Sequence, residues 1–186
     1  FASFVGVYFS GSIVVGLILG IMSAMLLAAI LASVTLFLKA NVFITGLATN
    51  LFASGITVVL SFHIFQNKGV IAVSDFPNIP KLFLPLADKI PFIGPIVFGH
   101  TFFTYISLIL LIFAYVIVYK TPFGFRLRAA NFYPKSLTAI GLSPKKYRFI
   151  AFLISGFYAS LAGAMLSLNL GAFVPNITSG KGWIAL

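Results

Sequence analysis

The chain has no cysteine, only two acidic residues, and charged residues make up 8% of its 186 positions. Without cysteine there is no disulfide framework, no thiolate metal site and no Cys nucleophile, and the redox compartment cannot be read. A soluble domain carries roughly 25% charged residues. One of this size could not cover a 61% hydrophobic composition with polar surface, so a soluble fold is excluded. No Gly-rich nucleotide loop, nucleophile elbow or carboxylate pair occurs. No catalytic residue is therefore expected, and no cofactor on this chain. His63 and His100 have no carboxylate or Cys nearby in sequence, so no metal site is expected either. The net charge of +10 would suit nucleic acid if the charge were spread. Instead both acids, Asp75 and Asp88, fall in one loop, and Lys120, Arg126, Arg128, Lys135, Lys145, Lys146 and Arg148 fall in another. That segregation belongs to membrane topology, with the lipid bilayer as partner and no nucleic acid.

What is abundant is hydrophobic length. A bilayer core needs about 20 consecutive mostly apolar helical residues, and segments 11–36, 42–65, 96–119 and 147–168 each supply them. The last opens at Ser143 and Pro144, an N-cap residue followed by proline at the first helical position. Residues 1–8 read as the tail of an earlier span or an interfacial piece, and a fifth span is expected to open near Gly182. The chain starts on Phe1 rather than Met and stops inside the apolar run 183–186, so it reads as a fragment, with membrane sequence expected beyond its C-terminal side. The expected fold class is all-α: a polytopic transmembrane helical bundle of four to five spans, with residues 1–186 forming part of one transmembrane domain.

Basic residues concentrated in the 120–146 link put that link on the cytoplasmic side. Alternation then puts Lys39 inside, and loops 67–95 and 169–180 outside. The first of these outer loops carries Lys68, Lys81 and Lys89 against the two acids. Its five prolines, Pro77, Pro80, Pro85, Pro91 and Pro95, exclude a long helix. It reads as a stiff connector at headgroup level, or as a contact for an external partner.

Small residues recur every fourth position in the first span (Ser12, Gly16, Gly20, Ala24, Ala28, Ala32) and in the fourth (Ser155, Ala159, Gly163, Ser167). In lipid, close backbone approach has to supply the packing that hydrophobic burial supplies in water, so both stripes read as helix–helix contacts. The second span carries Thr45, Gly46, Thr49, Asn50, Ser54 and Thr57 in an otherwise apolar run. An Asn amide at that depth needs a protein partner or a wet cavity, which leaves interhelical hydrogen bonding and a translocation path as equal readings. No span contains a carboxylate, which argues against proton or ion coupling and for energy supplied from elsewhere.

The basic link is the most specific feature. Pro134 can open a helix and Gly141 can close it, leaving 135–140 as a helix of about two turns. Such a helix suits docking onto a cytoplasmic partner, the alternative being a basic loop resting on anionic headgroups. The stretch 123–143 is followed by Ile-Ser-Gly at 154–156, Leu-Ala-Gly-Ala at 161–164 and Thr-Ser-Gly-Lys-Gly-Trp-Ile-Ala-Leu at 178–186. Together they resemble the ABC-importer inner-membrane permeases of the ribose, nucleoside and branched-chain amino acid type. The run Asn-Val-Phe-Ile-Thr-Gly-Leu-Ala-Thr-Asn at 41–50 is similar to the nucleoside (basic-membrane-protein-linked) branch. The resemblance covers nearly the whole chain, most specifically 41–55 and 121–186, and rests on the order and spacing of motifs that are individually weak.

It implies a permease subunit, not itself an enzyme, that couples import of nucleosides or simple sugars to a separate cytoplasmic ATP-binding subunit. Branched-chain amino acids come after these as substrate. The implied partners are a second permease subunit, forming a homo- or heterodimer, and an external substrate-binding lipoprotein. The implied location is the bacterial inner (plasma) membrane, multi-pass, with 120–146 cytoplasmic. On this resemblance Arg126, Arg128, Pro134, Lys135 and Gly141 form the ATPase-coupling segment. Polarity and location make Thr45, Thr49, Asn50, Thr178, Gly180 and Gly182 the candidate translocation path. One departure stands out: where the family has Gly-Glu-Asn before Pro-Lys, this chain has Asn131, Phe132 and Tyr133, so the acidic residue's role does not carry over. The alternatives are a secondary transporter or channel subunit without an ATPase, and a purely structural membrane subunit.

Overall fold

The computed structural model describes residues 1–72 and 102–178. Its elements run α1 (Ala2–Ser10), α2 (Ile13–Phe37), α3 (Val42–Phe65), β1 (Ile71–Ala72), α4 (Phe102–Lys120), α5 (Pro122–Phe132), α6 (Pro134–Ala139), α7 (Pro144–Leu170) and β2 (Ala172–Phe173). Four of these helices, α2, α3, α4 and α7, are long and apolar enough to cross a membrane. At 1.5 Å per residue the 25-residue α2 spans about 37 Å, more than the roughly 30 Å hydrocarbon core. The expected start of the third span at 96–101, most of the proline-rich loop, His100 and the possible fifth span near Gly182 lie outside the described residues.

The helix α2 is the centre of the bundle, and its small residues decide what touches it. Residues 1–8, expected as a tail or interfacial piece, belong to α1, a half-length helix folded back along α2. Gly11 makes this turn in the left-handed region at φ 63°, its N–H bonded to the Val7 carbonyl at 2.8 Å. The backbones then meet. A Cβ on Gly6 would lie 2.8 Å from the Gly16 Cα, and one on Gly20 would strike the Ser3 side chain. Further along α2, Ala28 faces Gly156 of α7, where an added Cβ would stand 2.5 Å from the Ala28 Cβ. Ala32 is fully buried. The first stripe is thus used for packing on both sides, as close approach in lipid requires.

Because the long helices alternate in direction, the chain has two distinct ends. One gathers the α2–α3 turn, α5, α6, the start of α7 and most of the described basic residues; it is the basic end. At the other, β1 and β2 pair antiparallel with Ile71 opposite Phe173. Phe4, Ile71 and Phe173 are buried there, with Phe1 and Phe65 packed on them. By contrast α3 and α4 present large exposed apolar side chains such as Leu51 and Leu111, a surface suited to lipid.

The link between α4 and α7 holds more helix than its sequence suggested. Thr121 caps α5 by accepting from the Gly124 N–H, with Pro122 at the first turn. Ser143 occupies the same position before α7, but its side chain makes no cap bond. Arg148 of α7 donates to the Ala130 carbonyl at 2.6 Å, tying the end of α5 to the start of α7.

Candidate functional site

Between α2, α3, α7 and the segment that follows α7 lies a cavity of about 350 Å³, near the lower end of the roughly 300–1,000 Å³ usual for small-molecule sites. Asn50, Ser54 and Thr57 of α3 form one wall, and Ser160, Gly163 and Ser167 of α7 form another. The third wall is non-helical. After Gly171 caps α7 at φ 58°, the chain turns back. Asn176 then accepts a hydrogen bond at 2.7 Å from Ser54, near the middle of the 24-residue α3. Loop 169–180 had been expected outside the membrane; in the structure its Asn176 reaches the depth of the α3 midpoint. Irregular backbone at such depth is tolerated where it lines a cavity that can satisfy its polar groups, and this stretch does.

The lining is chemically uniform. Its polar side chains are Ser and Thr hydroxyls and the amides of Asn50 and Asn176, and none of the described lining residues has an ionisable side chain. Two groups are free to meet a ligand. The Ser160 hydroxyl is buried with no hydrogen-bond partner among the described residues, a state that costs about 1–3 kcal/mol unless a partner arrives. The Asn50 amide likewise bonds to no described residue, while Thr57 is satisfied internally by the Ser54 carbonyl at 2.9 Å.

Of the residues singled out from the sequence as a path, Asn50 and Thr178 line this cavity. Thr45 and Thr49 do not: their hydroxyls turn back to the Asn41 and Thr45 carbonyls, each at 2.8 Å. Gly180 and Gly182 lie outside the described residues. Ser160 is not among the residues the sequence singles out, whereas Asn176 opens the polar segment 176–182 that supplies Thr178, Gly180 and Gly182 as candidates. The second small-residue stripe also needs correcting. It was read as helix packing, yet Ala159, Gly163 and Ser167 line the cavity, and a Cβ on Gly163 would meet nothing within 4 Å. Packing on α2 falls instead to Gly156, one residue off that stripe. The signal available in the sequence was the serine content of 155–167, since packing alone needs only smallness.

At the basic end, α6 runs from Pro134 to Ala139 and Gly141 leaves it at φ 78°. Leu137 anchors it, 4% exposed, while Phe132, Tyr133 and Ile140 stand out, each about 70% exposed. The two arginines expected to flank it diverge. Arg126 donates to the Tyr147 hydroxyl at 3.2 Å. Arg128 lies over the Tyr119 ring at 5.4 Å and faces a separate cleft near the α2–α3 turn. Among the described residues no group of three His, Cys, Asp or Glu could hold a metal ion.

A four-span bundle with a neutral polar cavity and a short anchored helix at one end is the architecture of a multi-pass membrane protein, and the comparisons give its family. The chain matches, over residues 1–186, the family described as the branched-chain amino acid transport system permease component, and it belongs to that family. It is 30% identical over 83% of its length to the guanosine ABC transporter permease protein NupQ of Bacillus subtilis, covering 49% of that protein. It is 28% identical over 91% of its length to the nucleoside ABC transporter permease protein NupC of Lactococcus lactis, covering 53%. A Haloferax volcanii permease provisionally assigned to glucose, TsgC13, is 29% identical over 95% of the chain and is covered over 53%. The chain therefore spans about half the length of the curated relatives it matches. No solved structure matches it. The family read from the motifs of the basic link is the family found.

Proposed function

We propose that this chain is part of the membrane-embedded permease subunit of an ATP-driven importer, and that the solute it passes is a nucleoside or a simple sugar. The observation that carries this reading is the chemistry of the cavity wall. Hydroxyl and amide groups offer both donors and acceptors, which suits ribose hydroxyls, base edges or sugar hydroxyls, and an unpartnered Ser160 waits for such a group. A free amino acid would bring an ammonium and a carboxylate to a wall with no ionisable side chain, and burying unpaired charges costs several kcal/mol each. Two relatives named for guanosine and nucleosides and one for glucose point the same way, whereas the family description names branched-chain amino acids.

On this reading the basic end is cytoplasmic, the membrane is the bacterial inner membrane, and α6 docks into a separate ATP-binding subunit that hydrolyses ATP. Lys135 gives that contact a charge. The exposed Phe132 and Tyr133 give it an apolar surface where the resembling permeases have an acidic residue. A second permease subunit and an external substrate-binding lipoprotein complete the assembly. The test is uptake by the full-length protein with its ATP-binding partner, challenged with nucleosides, pentoses, hexoses and branched-chain amino acids. Nucleosides or sugars are expected to compete, and leucine or valine to leave uptake unchanged. Competition by the amino acids alone would overturn the substrate assignment, and uptake independent of ATP would overturn the importer itself.

A further inference from the structure

A second cleft is larger than the polar cavity. It lies at the basic end, between the α2–α3 turn and the α5–α7 pair, and measures about 820 Å³. Four cations border it: Lys39, Arg128, Lys145 and Arg148. The described residues contain no acid at all, since both carboxylates of the chain lie in the 73–101 stretch. None of these cations is therefore neutralised by a described carboxylate. Three are instead held in place by uncharged groups. Arg148 is fixed by the Ala130 carbonyl at 2.6 Å, Arg128 lies over Tyr119 at 5.4 Å, and Lys145 lies over Phe37 at 5.7 Å. Such contacts orient a cation without cancelling its charge.

A second, independent feature points into the same cleft. Thr35 is 9% exposed, its hydroxyl has no hydrogen-bond partner among the described residues, and it lines this cleft. A buried hydroxyl without a partner signals a ligand or water that completes it. Much of the remaining lining is apolar, through Leu36, Val42 and Phe152. The first turns of α3 and α7 also border the cleft, and the amide ends of helices favour an anion. A ring of uncompensated cations and one free hydroxyl beside an apolar lining, at the level where transmembrane helices end, is complementary to an anionic amphiphile. Basic pockets between transmembrane helices are a recognised form of lipid headgroup site.

We propose that this cleft binds an anionic phospholipid, its phosphodiester held by Lys39, Lys145, Arg148 and the Thr35 hydroxyl and its acyl chains against the apolar lining. Arg128 then serves the lipid site rather than the docking of α6. The proposal does not depend on which solute is transported, and the experiment reads lipid rather than uptake.

The full-length protein is stripped of lipid in detergent and titrated with phosphatidylglycerol or phosphatidylcholine, with bound lipid counted by native mass spectrometry. Phosphatidylglycerol is expected to bind and phosphatidylcholine not. The double variant Lys39→Gln/Lys145→Gln removes two charges from exposed positions. It is expected to weaken phosphatidylglycerol binding roughly 30-fold, at about a tenfold per 1.4 kcal/mol and about 1 kcal/mol per basic residue. Lys146→Gln, next in sequence but outside the cleft, is expected to leave binding unchanged, as is the charge-preserving Lys145→Arg. Equal binding of phosphatidylcholine, or equal weakening by Lys146→Gln, would overturn the proposal in favour of non-specific attraction. Full displacement of the lipid by millimolar inorganic phosphate would reassign the cleft to a free anion. Unchanged phosphatidylglycerol binding in the double variant would place the bound lipid elsewhere and overturn the proposal.

Discussion

Gly156 and Gly163 of α7 stand a heptad apart, so they project within about 20° of each other, yet enlarging the side chain should have different consequences at the two positions. At Gly156 an added Cβ would stand 2.5 Å from the Ala28 Cβ and 3.3 Å from the Ala24 carbonyl oxygen. Neither neighbour is the far end of a flexible side chain, so α2 and α7 must separate. Overpacking of this kind costs roughly 1–3 kcal/mol, and Gly156→Ala is expected to lower the thermal midpoint of the purified protein and its yield in the membrane. At Gly163 a Cβ would meet nothing within 4 Å, because the position opens onto the polar cavity. The three carbons of Gly163→Val take up roughly the space of three waters, about 90 Å³ at about 30 Å³ per water, out of about 350 Å³. Helix propensity does not oppose the change, Val being better than Gly by a few tenths of a kcal/mol. Gly163→Val should therefore fold and melt like the parent protein while its uptake falls. The assay pairs a melting curve with initial uptake rates for both variants. Parental uptake by a folded Gly163→Val protein would show that the cavity is not on the path. Melting of Gly163→Val at the reduced temperature of Gly156→Ala would show that the helix contacts have been misjudged.

Two further predictions concern single groups. Ser160→Ala removes a buried hydroxyl that has no hydrogen-bond partner among the described residues, so stability should be unchanged or slightly improved. Half-saturation for uptake should rise about 2- to 12-fold, the value of one hydrogen bond of about 0.5–1.5 kcal/mol; a large loss of stability instead would show that Ser160 is bonded within the protein. On α6, Leu137→Ala deletes the side chain that anchors the helix, at about 2–5 kcal/mol for a core position, and should abolish co-purification of the ATP-binding subunit. Tyr133→Ala removes an exposed ring and should weaken that association while leaving the protein's melting temperature unchanged; unaltered association in both variants would remove α6 from the interface.

The parts of the bundle that follow from local chemistry were legible in the sequence. The second span was read at 42–65 and α3 runs Val42–Phe65, because Asn41 caps it by accepting from the Phe43 N–H and the charge-free run ends where polar residues return. The helix expected at 135–140 appears as Pro134–Ala139, since proline and glycine bracket it by backbone geometry alone. The helix α5 was missed, although Thr121 and Pro122 carry the same kind of start signal as Ser143 and Pro144. It lacks the long apolar run that marks the spans, and Arg126 and Arg128 leave opposite sides of the helix.

What sequence patterning could not supply is the identity of a helix's neighbour. A small residue at every fourth position means only that something comes close to that stripe. Along α2 that something is another backbone, Gly6 of α1 against Gly16 and Gly156 of α7 against Ala28. Along the stripe of α7 it is open polar space. The difference arises from residues far away in the chain, because the cavity exists only where the segment after Gly171 turns back to bring Asn176 against Ser54. That turn depends on a left-handed glycine and a two-residue strand pairing between Ala72 and Ala172, neither of which leaves a periodic trace. Hydrophobic periodicity reports which face of a helix avoids water, and within a bilayer every face does. The residues that line the cavity are therefore distinguished by what they can hydrogen-bond, and the hydroxyl of Ser160 and the amide of Asn50 separate the cavity wall from the packing.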